Sequence, residues 1–229
     1  MGHNAINIDD YPAQLQHKAD LIQQSFDDFA MPCLEIFPSE PIHYRMRAEF
    51  RVWHEGNDLY HIMFDKQSKE KYKVESFPAA SEIINHVMND LVQLLKPNEI
   101  ARRKLFQIDY LSSLNNHIIV SLLYHKTLDA DWQQEMQGIL INLRKKYSID
   151  IIGRAKKQKM VLDKDYLIEN LMINGTDFQF KHIENSFTQP NAGVNIKMIE
   201  WALDVTQNCQ GDLLELYCGL GNFTLPLAQ

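Results

Sequence analysis

The segment His43-Tyr44-Arg45-Met46-Arg47-Ala48-Glu49-Phe50-Arg51-Val52-Trp53 alternates side chain by side chain. Tyr44, Met46, Ala48, Phe50 and Val52 fall on one side of an extended chain. His43, Arg45, Arg47, Glu49, Arg51 and Trp53 fall on the other. A period of two with one apolar side predicts a half-buried strand over 42–53, with a basic outer face. Glu55-Gly56-Asn57-Asp58 reads as the turn that follows, and 59–64 as its hairpin partner. A third strand is expected at 71–75.

Further along, 79–95 has helical spacing, with Pro78 and Ser81 near its start and Pro97 beyond its end. Residues 105–111 and 117–124 form a second hairpin pattern around Asn115-Asn116. A helix is expected over 130–147, then short strands at 148–153 and 159–162. Back towards the N-terminus, Asp9 and Asp10 precede Tyr11-Pro12 as a helix cap. Leu15, Ala19, Ile22 and Phe26 carry that helix to about residue 29. Pro32, Pro38 and Pro41 then mark a linker. Strands, helices and hairpins mixed in this way indicate an α+β domain with an antiparallel sheet.

Towards the C-terminus the pattern changes. A helix is expected over 190–205. Asp212-Leu213-Leu214-Glu215-Leu216-Tyr217 reads as a short strand, Cys218-Gly219-Leu220-Gly221-Asn222 as a glycine turn, and Phe223 onward as a helix start. Strand, glycine turn and helix open an α/β unit of the Rossmann-like kind. The expected organisation is therefore a helix and linker at 1–40, an α+β domain at 41–175, and the start of an α/β domain at 176–229. One strand cannot make a parallel sheet, so the sequence reads as a fragment of a longer protein.

Composition narrows the function classes. The chain has 229 residues, 23 Lys and Arg, 30 Asp and Glu, a net charge of −7 and 45% hydrophobic residues. These are values of an ordinary globular protein. No apolar run is long enough for a membrane helix, and the N-terminus has no signal-peptide pattern. Cys33, Cys209 and Cys218 are odd in number and lack a C-x-x-C, against a disulfide framework and a cysteine-held metal. A reducing cytoplasm is expected, with no metal. The charge is uneven: 1–40 and 161–229 are each net −6, while 41–160 is net +5. The middle segment suits either a nucleic-acid face or a plain solvated surface.

Gly219 and Gly221 allow close approach of a ligand to the backbone. Thr224 stands where G-x-G-x-x-G needs its third glycine. The pattern fits the methionine part of S-adenosyl-L-methionine as well as or better than a dinucleotide.

Residues 215–228 together with Asn185-Ser186-Phe187-Thr188-Gln189-Pro190-Asn191 resemble the RNA uracil-C5 methyltransferases. His43-Tyr44-Arg45-Met46-Arg47-Ala48-Glu49-Phe50-Arg51, Ser76-Phe77-Pro78-Ala79-Ala80, Lys104-Leu105-Phe106-Gln107-Ile108-Asp109-Tyr110 and Val120-Ser121-Leu122-Leu123-Tyr124-His125 extend the likeness. It runs from about residue 9 to the last residue and points to the branch acting on tRNA and tmRNA. Ribosomal-RNA relatives commonly carry a TRAM domain and a four-cysteine iron–sulfur site; this sequence has neither.

The resemblance implies a monomeric, S-adenosyl-L-methionine-dependent enzyme that makes 5-methyluridine in the T-loop. It implies that Gln189, Tyr217, Gly219, Gly221 and Asn222 hold the cofactor. It also implies that Arg47, Arg51, Phe106 and His125 hold RNA, with Arg45 and the run Lys156, Lys157 and Lys159 as further phosphate contacts. An aromatic wedge can replace a flipped base in a stack. The family uses a cysteine thiolate that adds to uracil C6 and a glutamate base; both are expected after Gln229, so no catalytic residue is assigned here. The chain alone is then expected not to methylate. An alternative is a non-catalytic tRNA-binding or RNA-refolding module.

Overall fold

The computed structural model describes residues 8–65 and 67–229. After a 3-10 turn (Ile8–Asp10) come α1 (Tyr11–Ser25), β1 (Arg47–Glu55), β2 (Asp58–Phe64), β3 (Lys71–Val74), α2 (Glu82–Leu95) and the short α3 (Glu99–Arg102). There follow β4 (Leu105–Ser112), β5 (His117–Tyr124), α4 (Ala130–Leu143), β6 (Ser148–Ala155) and β7 (Gln158–Val161). β8 (Tyr166–Ile173), β9 (Thr176–Ile183), α5 (Ala192–Thr206) and α6 (Thr224–Leu227) complete the chain.

Seven strands form one sheet in the order β3-β2-β1-β4-β5-β6-β7, and β8-β9 stand apart as a hairpin. Every pair is antiparallel except β5–β6. A parallel neighbour needs a crossover, and α4 supplies it. The architecture is a mixed α/β fold with a largely antiparallel sheet.

The alternation of β1 works as expected. Met46, Ala48, Phe50 and Val52 are buried, while Glu49, Arg51 and Trp53 are exposed. One face of the sheet packs against α2, through Ile84, Val87, Met88 and Leu91, and against α4, through Trp132, Met136 and Leu140. The β8–β9 hairpin and α5 have a core of their own, built on Leu171, Phe178, Phe180 and Ile199. Leu167 of β8 joins Leu111, Ile119 and Ile152 on the opposite sheet face, which ties the two bodies together.

Several boundaries shift for visible reasons. β1 begins at Arg47 rather than residue 42, because His43 takes a left-handed φ of 56° and breaks the extended run. Its ring Nδ1 lies 2.9 Å from the Ala80 carbonyl oxygen. α1 stops at Ser25, and Asp10 lies in helical backbone, so its side chain caps nothing. Of the expected apolar stripe, Ala19 is buried, whereas Ile22 and Phe26 are exposed. α2 starts at Glu82 and α4 ends at Leu143.

The expected strand at 212–217 does not form. Among the described residues no strand lies beside it to take up its N–H and C=O groups, and a lone strand is not stable in water. Leu213, Leu214 and Leu216 are left exposed. The start of a parallel α/β sheet is therefore not observed here.

Candidate functional site

The loop before α5 is fixed by the entrance to β1. The backbone N–H of Met46 donates to the Pro190 carbonyl at 2.7 Å. Arg47 Nη1 donates to the Ser186 carbonyl at 2.8 Å. Asn191 donates from Nδ2 to Ser39 Oγ at 2.6 Å, and its Oδ1 accepts from Val194 N at 3.0 Å as the cap of α5. Gln189 thus sits between two anchored residues.

The glycine turn meets the start of α5 from the other side. Asn195 and Asn222 exchange amide hydrogen bonds in both directions, each 2.8 Å long. Gly219 and Gly221 adopt φ of 58° and 78°, the left-handed region that glycine enters without a Cβ penalty. Gly221 N donates to the Cys218 carbonyl at 2.9 Å and closes the turn. Thr224 Oγ1 donates to the Glu215 carboxylate. Tyr217 also has a left-handed φ of 60°, and its ring is fully exposed.

A cavity of about 100 Å³ lies between these walls. Gln189, Tyr217, Gly219 and Asn222 line it, and Gly221 shapes the turn behind them. The structure therefore brings Gln189 to the turn formed by Tyr217, Gly219, Gly221 and Asn222, the residues expected to hold the cofactor, although it lies well before them in sequence. The amides of Gln189 and Asn222 offer both donors and acceptors, and the two glycines keep side chains out of the turn. These features fit the amino-acid end of S-adenosyl-L-methionine.

Sequence periodicity alone does not find the opposite wall. Glu169 and His182 of the β8–β9 hairpin face the same cavity. Glu169 is buried, and its Oε1 accepts from Leu114 N at 2.9 Å. Burial pushes its carboxyl up to about 7, opposed by the backbone N–H groups of Leu114 and Asn170. Burial holds the His182 imidazole down at about 4, so it is neutral at pH 7. Asn195 was findable: it falls one helical turn after the cap Asn191, on the same side of α5.

A second group lies on the outer face of the seven-stranded sheet. The β4–β5 register slips between Leu105 and Gln107, so Phe106 is the extra residue of a bulge. Leu105 and Ile108 point into the core, and Phe106 turns outward. Its ring lies on that of His125, with centroids 3.8 Å apart and planes 9° apart. His125 N donates to the Lys104 carbonyl at 2.9 Å, which holds the two strands' ends in step. The Arg51 guanidinium stands 5.5 Å from the Phe106 centroid. Lys156 lines the same shallow groove.

Arg47 does not join this group. It is taken up by Ser186 and by Glu49, at 3.4 Å from its Nε. Arg45 donates from Nε to the Arg47 carbonyl at 2.7 Å. Lys159 is paired with Asp165 at 2.7 Å and lies 3.5 Å from Glu184.

A family profile described as tRNA (uracil-5-)-methyltransferase matches residues 10–229. The chain belongs to this family. It is 62% identical over 224 residues to a tRNA/tmRNA (uracil-C(5))-methyltransferase of Pseudoalteromonas atlantica, covering 98% of this chain and 61% of that protein. It is 55% identical over 229 residues to the protein of that name from Shewanella loihica, covering 100% of this chain and 63% of the relative. The chain thus spans less than two thirds of the length of these curated relatives. Among the described residues, no three metal-ligating side chains cluster and no helix is long and apolar enough to cross a membrane.

Proposed function

We propose that this chain supplies the RNA-holding sheet and one side of the cofactor site of an enzyme that methylates uracil C5 in the T-loop of tRNA and tmRNA. The observation that carries the reading is the convergence of Gln189 with Tyr217, Gly219 and Asn222 on one cavity. When bound, S-adenosyl-L-methionine supplies an electrophilic methyl group. Gln189 and Asn222 would hold its amino-acid end by hydrogen bonds, and the open glycine turn would let it approach the backbone. In this reading the seven-stranded sheet within 41–175 presents the RNA face, and 176–229 forms the cofactor wall together with Glu169 and Leu171 of β8.

On the sheet, Phe106 and His125 form a flat aromatic platform beside Arg51. Such a platform takes a base face while the guanidinium takes a phosphate. Uracil C5 needs a thiolate addition at C6 before it can attack the methyl group. Cys33, Cys209 and Cys218 are all exposed. Cys218 belongs to the cofactor turn, and none of the three is assigned as nucleophile. We place the enzyme in the cytoplasm as a monomer.

The test is calorimetric titration of the chain with S-adenosyl-L-methionine, beside Gln189→Ala, together with labelled-methyl transfer to unmodified tRNA. Binding that Gln189→Ala weakens, with no transfer by the chain alone, is the expected result. Equal binding by both proteins would remove Gln189 from the site. A second reading, an RNA-binding or refolding module, is favoured by the Phe106–His125 platform itself, which does not depend on the cavity. Unchanged tRNA binding by Arg51→Ala and Phe106→Ala would exclude it.

A further inference from the structure

We propose that Glu169 is the carboxylate that receives the cationic end of the methyl donor, its ammonium or its sulfonium. This rests on the cofactor reading above. Three observations carry it.

First, Glu169 is 3% exposed and lines the same cavity as Gln189 and Asn222. A buried carboxylate is costly to keep unless a cation or several donors compensate it. Its Oε1 accepts from Leu114 N at 2.9 Å, and the backbone N–H of Asn170 is the only other donor acting on it among the described residues; both are neutral groups.

Second, the described residues around the cavity supply no compensating cation. Among the described residues that line the cavity there is no Lys or Arg; the titratable ones are Glu169, His182, Glu215, Tyr217 and Cys218. From β9, His182 is held neutral by burial. From the glycine loop, Glu215 adds a second negative group. From α5 and the 187–189 loop come only neutral side chains, Ala192, Asn195, Phe187, Thr188 and Gln189. The cavity wall is therefore negative, and a ligand with net positive charge is electrostatically suited to it. S-adenosyl-L-methionine carries a sulfonium and an ammonium against one carboxylate.

Third, the position is built rather than incidental. Glu169 alternates with Leu167, Leu171 and Ile173 on the buried side of β8, where an apolar residue would pack. Leu114, which it binds, lies at the β4–β5 turn. The carboxyl therefore reaches both the cofactor wall and the sheet that carries Phe106.

A cation arriving beside Glu169 favours its ionised form. With the carboxyl at about 7 before binding, the protein releases about half a proton at pH 7 when the ligand binds. Affinity then rises as pH rises through 7.

The test is calorimetric titration with S-adenosyl-L-methionine and with S-adenosyl-L-homocysteine, at pH 6, 7 and 8 and in two buffers of different ionisation enthalpy. Glu169→Gln is the variant; its amide oxygen can still accept from Leu114 N, and far-ultraviolet circular dichroism checks the fold. Proton release by the unmutated chain, and binding weakened by at least about tenfold and made pH-independent by Glu169→Gln, are expected. Equal weakening for both ligands assigns the ammonium; weakening confined to the sulfonium ligand assigns the sulfonium. Unchanged affinity in Glu169→Gln, or binding without proton release, overturns the proposal. If binding is lost in Gln189→Ala but kept in Glu169→Gln, the cofactor site stands and only Glu169 is removed from it. No binding by the unmutated chain overturns both.

Discussion

The rings of Phe106 and His125 lie flat on one another, 3.8 Å between centroids, at a bulge where β4 and β5 lose register. A ring in the core, such as Phe50, is buried and meets its aromatic neighbours His61, Phe77 and Tyr110 edge-on. This pair instead faces a groove that Lys156 also lines. Phe106→Ala is expected to lower tRNA affinity by roughly tenfold, in line with about 1–3 kcal/mol for one stacked base. Phe106→Tyr should restore most of it. Fluorescence anisotropy with labelled tRNA reads the change. A loss of affinity matched by an equal loss of folded protein would defeat the explanation.

Glu169 makes stability depend on pH in an unusual direction. Its carboxyl sits at about 7 in the folded chain, above the ordinary 4.5, so the folded state holds its proton longer than the unfolded state. Its contribution is fully present below pH 4.5 and is lost as pH rises to 7. Glu169→Gln removes that loss. The variant is expected to be more stable than the unmutated chain at pH 8, by about 1–3 kcal/mol, and no more stable at pH 4.5. Urea midpoints at the two values decide the matter. A variant less stable at pH 8 would contradict the burial argument.

Gly153 of β6 lies under the α4 tryptophan. A Cβ there would come 2.2 Å from Trp132 Cη2 and 2.5 Å from Leu128 Cδ1. Neither can retreat, because Trp132 is fully buried. Gly153→Ala is expected to cost at least about 2 kcal/mol by overpacking. Thermal unfolding reads this, and Gly138→Ala, where a Cβ meets nothing within 4 Å, is the control.

Arg102 is buried and donates to four carbonyls. Its Nη1 reaches Asn57 at 2.7 Å and Lys96 at 3.1 Å, and its Nη2 reaches Gly56 at 3.1 Å and Asp58 at 3.0 Å. It therefore clamps the β1–β2 turn to the end of α2. Arg102→Ala is expected to cost about 2–4 kcal/mol, since it strands buried acceptors. Arg102→Lys should recover little, because an ammonium cannot span a fork of this width. Denaturant unfolding tests both.

Much of the sheet could be read from the chain because its physics is local. The alternation of Met46 to Val52 states which side is buried, and the spacing of Ile84, Val87, Met88 and Leu91 states the inner face of α2. The β8–β9 hairpin was equally open to view. Asn174-Gly175, with φ of 47° and 79°, is a two-residue turn signal between strand-forming runs. No strand was expected over 166–183. The false strand at 212–217 failed for the opposite reason: its composition suits a strand, but pairing is not a local property. The residues expected to hold the cofactor were chosen by family likeness; their convergence depends on contacts such as Asn195 with Asn222 that no periodicity reveals. The outward turn of Phe106 had one visible trace: Leu105 and Ile108 are both apolar, and strict alternation would have put only one of them inside.

The bond from Arg47 to Ser186 joins positions 139 apart. During synthesis, β1 leaves the ribosome long before Ser186 and Pro190 exist to hold it. β1 can pair with β2 and then β4 in the meantime, but its first residues stay unfastened. The cavity consequently assembles after the sheet, once residues 186–222 have been made. A slow-translating stretch beyond residue 190 would thus leave a paired β1–β2–β4 sheet waiting on an unformed cavity wall.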